Sequence, residues 1–326
     1  MTDFQGKPVL VTGGLGLLGS AIARHLVHAG ARVTIVDSLE PLFGGNRNNI
    51  ASIENQVEVH IGDIGDTDLM ARLVRGKTHI FELAAQISHM DSMHNPQRDL
   101  AINCAGTLGL LELCRRLAPE IRVVFASTRQ IYGTPQYLPV DEQHRLRPPD
   151  INGIHKVAAE DYHRLYNEVY GLRSTTLRLT NIYGPGMRVR DARQTFVGLW
   201  FKLLIEGRPI SIFGDGQQRR DFTYVDDCAE AFLAAAGDAH VGATYNLGGD
   251  GPVSLTELAR RMMAANGGGE VAHIPFPADR KAIDIGDYWA DDSAFRGASD
   301  WLPRTSLDKG LQSTLAFYRQ HLPAYL

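Results

Sequence analysis

A chain of 326 residues with 44% hydrophobic and 21% charged residues has room for one large core and a smaller lobe. Its formal net charge of -4 excludes a surface built mainly to grip a polyanion, so nucleic acid is not an expected partner. The three cysteines, Cys104, Cys114 and Cys228, stand at no metal-ligand spacing, which excludes a cysteine metal centre and suits a reducing compartment. No apolar run reaches membrane-spanning length and no leader pattern is visible, so the expectation is a cytoplasmic protein.

In chain order, residues 7–12 read as a short apolar strand, followed by a glycine-rich turn and a helix over 16–29 that stops at Gly30. Strands follow at 32–37, 57–61 and 79–83. A long helix over 96–117 leads to a strand at 122–127, and another over 153–170 leads to a strand at 174–179. Strands that are apolar almost throughout and separated by helix-length segments predict a doubly wound α/β fold, a parallel sheet covered by helices on both faces. After Thr180 the rhythm breaks into loops rich in glycine and proline. The expected division is therefore 1–180 for a Rossmann-type cofactor domain and 181–326 for a substrate-binding lobe, with 221–247 free to return to the first.

Thr12-Gly13-Gly14-Leu15-Gly16-Leu17-Leu18-Gly19 lies where the first strand becomes the first helix. Gly13 permits a tight turn, Gly16 lets backbone N–H groups approach a pyrophosphate, and Gly19 lets helix and strand pack closely. The helix N-terminus at Leu17 and Leu18 adds partial positive charge. Asp37 ends the second strand 18 residues beyond Gly19, the place for a carboxylate on ribose hydroxyls. It would repel a 2′-phosphate, so NAD is expected rather than NADP; a solvated strand-end acid is the plainer alternative. Asp63 and Ile64 read as adenine contacts, with Asp63 as the N-cap of a helix from Thr67 as the alternative. Leu83, Ala84, Ala85 and Gln86 leave room for the cofactor, although small core packing would look the same.

These features continue in LAAQ at 83–86, NxxGT at 103–107, STxxxYG at 127–133, KxxxE at 156–160 and RLTNIYGPG at 178–186. GDGxQxRDFTYVDD at 214–227 and YNLGG at 245–249 complete the series. The whole resembles the extended short-chain dehydrogenase/reductases of the NAD-dependent epimerase/dehydratase family, over nearly the full chain. The resemblance implies bound NAD and a nucleotide-diphosphate sugar as substrate. Thr128 then corresponds to the hydroxyl at the reacting sugar oxygen, or to a hydroxyl satisfied by its own backbone. Lys156 corresponds to the lysine on the nicotinamide ribose, and Asn103 falls in the cofactor set; a solvated helix lysine is the alternative for Lys156. Asn181 and Arg220 correspond to groups on the substrate diphosphate, with a surface ion pair as the alternative for Arg220. Phe213 stands near the nucleotide base or in the core, and Ser88 lies in the loop that faces substrate. The long helices over 96–117 and 153–170 match those that pair family members as homodimers.

Three departures sharpen the reading. The family's Tyr-x-x-x-Lys window holds Asn152 in place of tyrosine, and an amide has no proton to exchange near neutral pH. His89, in the segment 86–92, is the substitute acid/base or a hydrogen-bonded loop histidine; His155, Asp91 and Tyr132 are weaker candidates, and a water held by Asn152 is another. Arg129 and Gln130 occupy places where dehydratases of the family carry acids, so Arg129 grips an anionic group on the substrate or makes a structural salt bridge. Asp284 replaces a phosphate-binding arginine, with Arg280, Lys281 or Arg188 as possible replacements. The expected function is an NAD-dependent epimerase working through a transient ketone, with decarboxylation, dehydration or a non-catalytic sensor as alternatives.

Overall fold

The computed structural model describes residues 2–193 and 195–326. The first half runs β1 (Pro8–Thr12), α1 (Leu17–His28), β2 (Arg32–Asp37), β3 (Val57–Ile61), α2 (Thr67–Val74), β4 (His79–Glu82), α3 (His89–His94), α4 (Pro96–Leu100), α5 (Thr107–Leu117), β5 (Arg122–Thr128), α6 (Ile151–Tyr170) and β6 (Arg173–Leu179). The second half adds β7 (Asn181–Tyr183), α7 (Phe196–Ile205), β8 (Ile210–Phe213), β9 (Arg219–Arg220), β10 (Phe222–Tyr224), α8 (Val225–Ala235), β11 (Thr244–Leu247), β12 (Val253–Ser254), α9 (Leu255–Asn266), β13 (Val271–Ile274), α10 (Ala278–Ala282), α11 (Ser293–Ala298) and α12 (Leu307–His321).

The alternation of apolar residues in β1 explains the layering. Val9 and Val11 join a core with Ala21, Ile22 and Leu26 of α1 and with α8, while Leu10 points into a second core with Met70 and Leu73 of α2 and Leu110 and Leu111 of α5. A strand buried on both faces belongs in the middle of a sheet. The sheet runs β11-β6-β5-β4-β1-β2-β3, with every pair parallel. Strand order reverses between β1 and β4, and the crevice beyond their C-terminal ends is where such sheets bind ligands.

β11 completes the sheet beside β6, and α8 packs on α1, so the 221–247 segment contributes to the first layer system even though β10 pairs with β7 outside the sheet. The expected 96–117 helix is one course interrupted by a wide π turn at Ala101–Gly106, which holds Asn103. Such turns re-aim side chains that a regular helix would place elsewhere. Asp66, not Asp63, caps α2: its side chain accepts from Leu69 N at 3.0 Å, whereas Asp63 accepts from Gly65 N. Among the described residues no helix is long and apolar enough to cross a membrane, and no metal-ligating cluster occurs.

A buried ion pair ties α6 to β6. Arg178 donates to both Glu160 carboxylate oxygens at 2.7–3.1 Å and to the Tyr132 hydroxyl at 2.8 Å. Removing one partner strands the other charge in the interior. Glu160→Ala is therefore expected to lower unfolding stability by about 3 kcal/mol in urea melts, with the denaturant slope unchanged.

Candidate cofactor and substrate cleft

The cleft starts where backbone meets backbone. Gly13 sits at φ +66, and a Cβ there would stand 2.9 Å from the Leu83 carbonyl and Ala84 N, on the next strand over. A Cβ on Gly19 would press into the Gly13 carbonyl oxygen. Gly16 offers no side chain to cap α1, so the first N–H groups of the helix, at Leu17, Leu18 and Gly19, line the cleft with no side-chain cap among the described residues. Thr12 Oγ1 accepts from Leu83 N and Ala84 N, at 3.0 and 3.1 Å, and locks the ends of β1 and β4 together.

Asp37 lies at the rim of this turn. Its carboxylate accepts from Leu15 N at 3.0 Å and Leu39 N at 2.8 Å. Burial raises its pKa, with those two backbone bonds opposing. Asp63, Ile64, Leu83, Ala84, Ala85 and Gln86 line the same cleft. Asn103 does not reach the wall; it clamps the backbone of Gln86, accepting from its N at 3.0 Å and donating to its O at 2.8 Å. Open helix N–H groups, a turn without side chains, a carboxylate at the rim and an unpartnered buried Ser127 Oγ further in form a set that fits an adenine dinucleotide.

Deeper along the cleft stand Thr128, Lys156, Asn152, His89 and Arg129. Thr128 Oγ1 accepts from Gln130 N at 3.3 Å, which leaves its O–H free to donate into the cleft. Lys156 is buried rather than solvated: Nζ donates to the Ala126 carbonyl at 2.9 Å and lies 4.6 Å from the Phe125 ring centre. Burial pushes its pKa down to about 8, against the pull of Glu82, Asp99 and Glu160. Asn152 Nδ2 donates to Gln86 O at 2.8 Å and to Asp99 Oδ2 at 3.2 Å. Two acceptors on one side fix the amide so that Oδ1 is the atom left for a ligand. Asp99 in turn holds His155 Nδ1 at 2.6 Å, which accounts for His155.

His89 Nδ1 lies 3.0 Å from Asp150 Oδ2, inside ion-pair distance although off the line of a hydrogen bond. Asp150 is buried and caps α6 through Gly153 N at 2.7 Å. Burial works to raise its pKa, but His89, Gly153 and Gln130 together hold it below the usual value.

Other expected residues are not brought to the wall. Gln130 is turned away to donate to Asp150 Oδ2 at 2.8 Å and to the Ile283 carbonyl at 3.2 Å. Ser88 caps α3, its hydroxyl accepting from Asp91 N. Arg188 is engaged with Asp191 at 2.7 Å and with the carbonyls of Pro41 and Phe43, so it braces the loop beside Asp37 instead of the substrate end. Phe213 packs on Phe276 at 5.4 Å with Arg280 over its ring at 5.7 Å, outside the cleft wall. Arg220 also stands behind the wall; it is buried, and its partner is Asp284 at 3.1 Å. Asn181 lines the cleft and donates to the Asp221 carbonyl at 3.0 Å. Tyr132 is committed to Asn246 at 2.6 Å, and Asp91 to Arg193. Sequence reasoning missed Asp150, Asp99 and Ser127. Asp150 carried one signal, an acid directly before the helix start, but its pairing with His89 spans 61 positions and has no local mark.

The chain is similar over most of its length to proteins of one known family. The model of the NAD dependent epimerase/dehydratase family matches residues 9–248. A UDP-glucose 4-epimerase of Mycolicibacterium smegmatis is 33% identical over 95% of this chain and 98% of its own. UDP-glucuronate 4-epimerase 1 of Arabidopsis thaliana is 30% identical over 96% of this chain and 77% of its own. The structure of a Thermus thermophilus UDP-glucose 4-epimerase in complex with NAD superposes with a TM-score of 0.85 at 30% identity, covering 96% of this chain and 99% of that one.

Gly19→Ala tests the cradle directly. The variant is expected to purify without NAD and to bind it at least about 100-fold more weakly by calorimetry, because the added carbon displaces the turn that the pyrophosphate rests on.

Proposed function

The chain belongs to the NAD-dependent epimerase/dehydratase family, and on that premise we propose that it epimerises a nucleotide-activated sugar through a transient ketone. When bound, NAD supplies the hydride acceptor and donor. The observation that carries the proposal is the grouping of His89, Thr128, Asn152 and Lys156 on one wall, with Asp150 behind His89. A phenol is missing from the window before Lys156, and the histidine takes over its task. Asp150 Oδ2 stands 3.0 Å from Nδ1 and positions the imidazole, as a carboxylate behind a catalytic histidine does. Thr128 donates a hydrogen bond to the sugar oxygen and keeps its proton, and His89 accepts the proton that this oxygen loses. Asn152 Oδ1 orients a neighbouring sugar hydroxyl, and the Lys156 cation holds the nicotinamide ribose and favours negative charge on the sugar oxygen. Gln130 is neutral and faces away, so no acid stands at 129 or 130 to drive loss of water.

Residues 1–180 supply the cofactor wall in this reading, and the lobe from 181 onward holds the nucleotide diphosphate around Asn181. Incubation with UDP-, GDP-, dTDP- and CDP-sugars is expected to give a product of unchanged mass, with transient reduction of bound nicotinamide. Loss of carbon dioxide or water would replace epimerisation by decarboxylation or dehydration. His89→Ala is expected to lower kcat by about 100- to 1000-fold with a much smaller change in KM, and Asp150→Asn by less; full activity of His89→Ala would remove His89 from the mechanism.

We also propose a homodimer. On α6, Ile154, Leu165, Val169 and Tyr170 are exposed, and the first three recur at helical spacing along one face, near exposed Leu100 at the end of α4. All three cysteines are unpaired, which supports a reducing, cytoplasmic setting. Sedimentation is expected to show a dimer, and the double variant Leu165→Glu, Val169→Glu a monomer with its melting temperature within a few degrees of the parent's.

A further inference from the structure

Arg129 follows Thr128 at the end of β5 and lines the cleft with Thr128, Asn152 and His89. Its Nε is buried and meets no acceptor, and no carboxylate lies within ion-pair distance of its guanidinium among the described residues. The Tyr288 ring lies beneath its guanidinium, 5.9 Å from ring centre to Cζ. The structural salt bridge that sequence reasoning kept open is therefore not made.

The surrounding acids are already engaged. Asp284 takes Arg220 at 3.1 Å and accepts from Gly286 N. Asp221 takes the Thr180 hydroxyl and Ala290 N. Asp150 takes Gly153 N and Gln130, with His89 beside it. Arg220 adds a second cation close enough that Arg129 disfavours its charged form. Other arginines in the interior are answered, Arg178 by Glu160 and Arg188 by Asp191. An unanswered guanidinium in the interior is costly to folding, and a ligand anion is what repays it.

We infer that Arg129 binds a carboxylate on the sugar itself, so that the substrate class is a nucleotide-linked sugar acid; this rests on the epimerase reading above. The planar fork of the guanidinium matches a carboxylate. Its place on the wall beside Thr128 puts that carboxylate next to the reacting carbon.

The test uses the purified holoenzyme with UDP-glucuronate, UDP-galacturonate, UDP-glucose and UDP alone, read by turnover and by calorimetry. The parent is expected to prefer the sugar acids over UDP-glucose by about 100-fold or more in kcat/KM and in affinity, and Arg129→Met to collapse that ratio by about 100-fold. The melting temperature of the ligand-free variant is expected to stay level or rise, because a buried charge without a partner has been removed. An unchanged ratio, with UDP alone weakened as much as the sugar nucleotides, would assign Arg129 to the diphosphate and overturn the inference. A fall of several degrees in melting temperature with an unchanged ratio would make it structural and overturn it equally. Absence of turnover with every sugar overturns the epimerase reading, and the affinity ratio then still decides the role of Arg129.

Discussion

The rest of the molecule depends on the contact between two backbones at the turn from β1 into α1. The Gly13 carbonyl meets Gly19 where no side chain fits, and Gly13 itself meets the chain leaving β4. That approach aims the open end of a helix at the crevice where strand order reverses. The Thr12 hydroxyl fixes the same three segments from the other side by taking two N–H groups of the β4 exit. Position in the sheet, the field of the helix and access to the cofactor are thus set by one short peptide. Val9 and Val11 on one face and Leu10 on the other anchor it in both cores.

Away from that turn, the cleft is organised by buried carboxylates, each with a defined set of donors. Asp99 holds Asn152 and His155, Asp150 holds Gln130 and stands against His89, and Asp221 joins the end of β6 to the chain at Ala290 through Thr180 and the Ala290 N–H. A carboxylate removed from water stays charged only when donors surround it, so each acid specifies the positions of several neighbours. Among the described residues Arg129 stands on the wall without an ion-pair partner, and Lys156 has Glu82, Asp99 and Glu160 acting on it from a distance.

Most of the fold was legible because it is encoded locally. The strands at 32–37 and 57–61 agree residue for residue with β2 and β3, and α1 ends at Gly30, in a left-handed conformation, where the glycine announced it. The glycine turn and Asp37 were legible for the same reason. What failed depended on partners distant in sequence. Gln130 reads as a cleft residue until Asp150 and Ile283 draw it away, and Arg188 until Asp191 and the loop around Pro41 and Phe43 claim it. The π turn was not legible in periodicity, since α4 before it spans only Pro96–Leu100, too short a stretch to set a phase against which the later shift shows. Asp63 and Asp66 are equally suited to cap a helix, and only the geometry of the turn separates them.

The amide at 152 has a bearing on how this site can change. Its two hydrogens go to the Gln86 carbonyl and to the fully buried Asp99, so the residue supports the architecture as well as facing the cleft. A phenol in its place, the group expected before Lys156, has a single hydroxyl hydrogen and a much longer reach; it would abandon both acceptors and leave Asp99 with His155 alone. Tyrosine at 152 thus requires a matching change at position 99. The consequence is a coupling: the acid beneath the helix and the amide above it form one unit, and a change to either reaches the packing as well as the cleft.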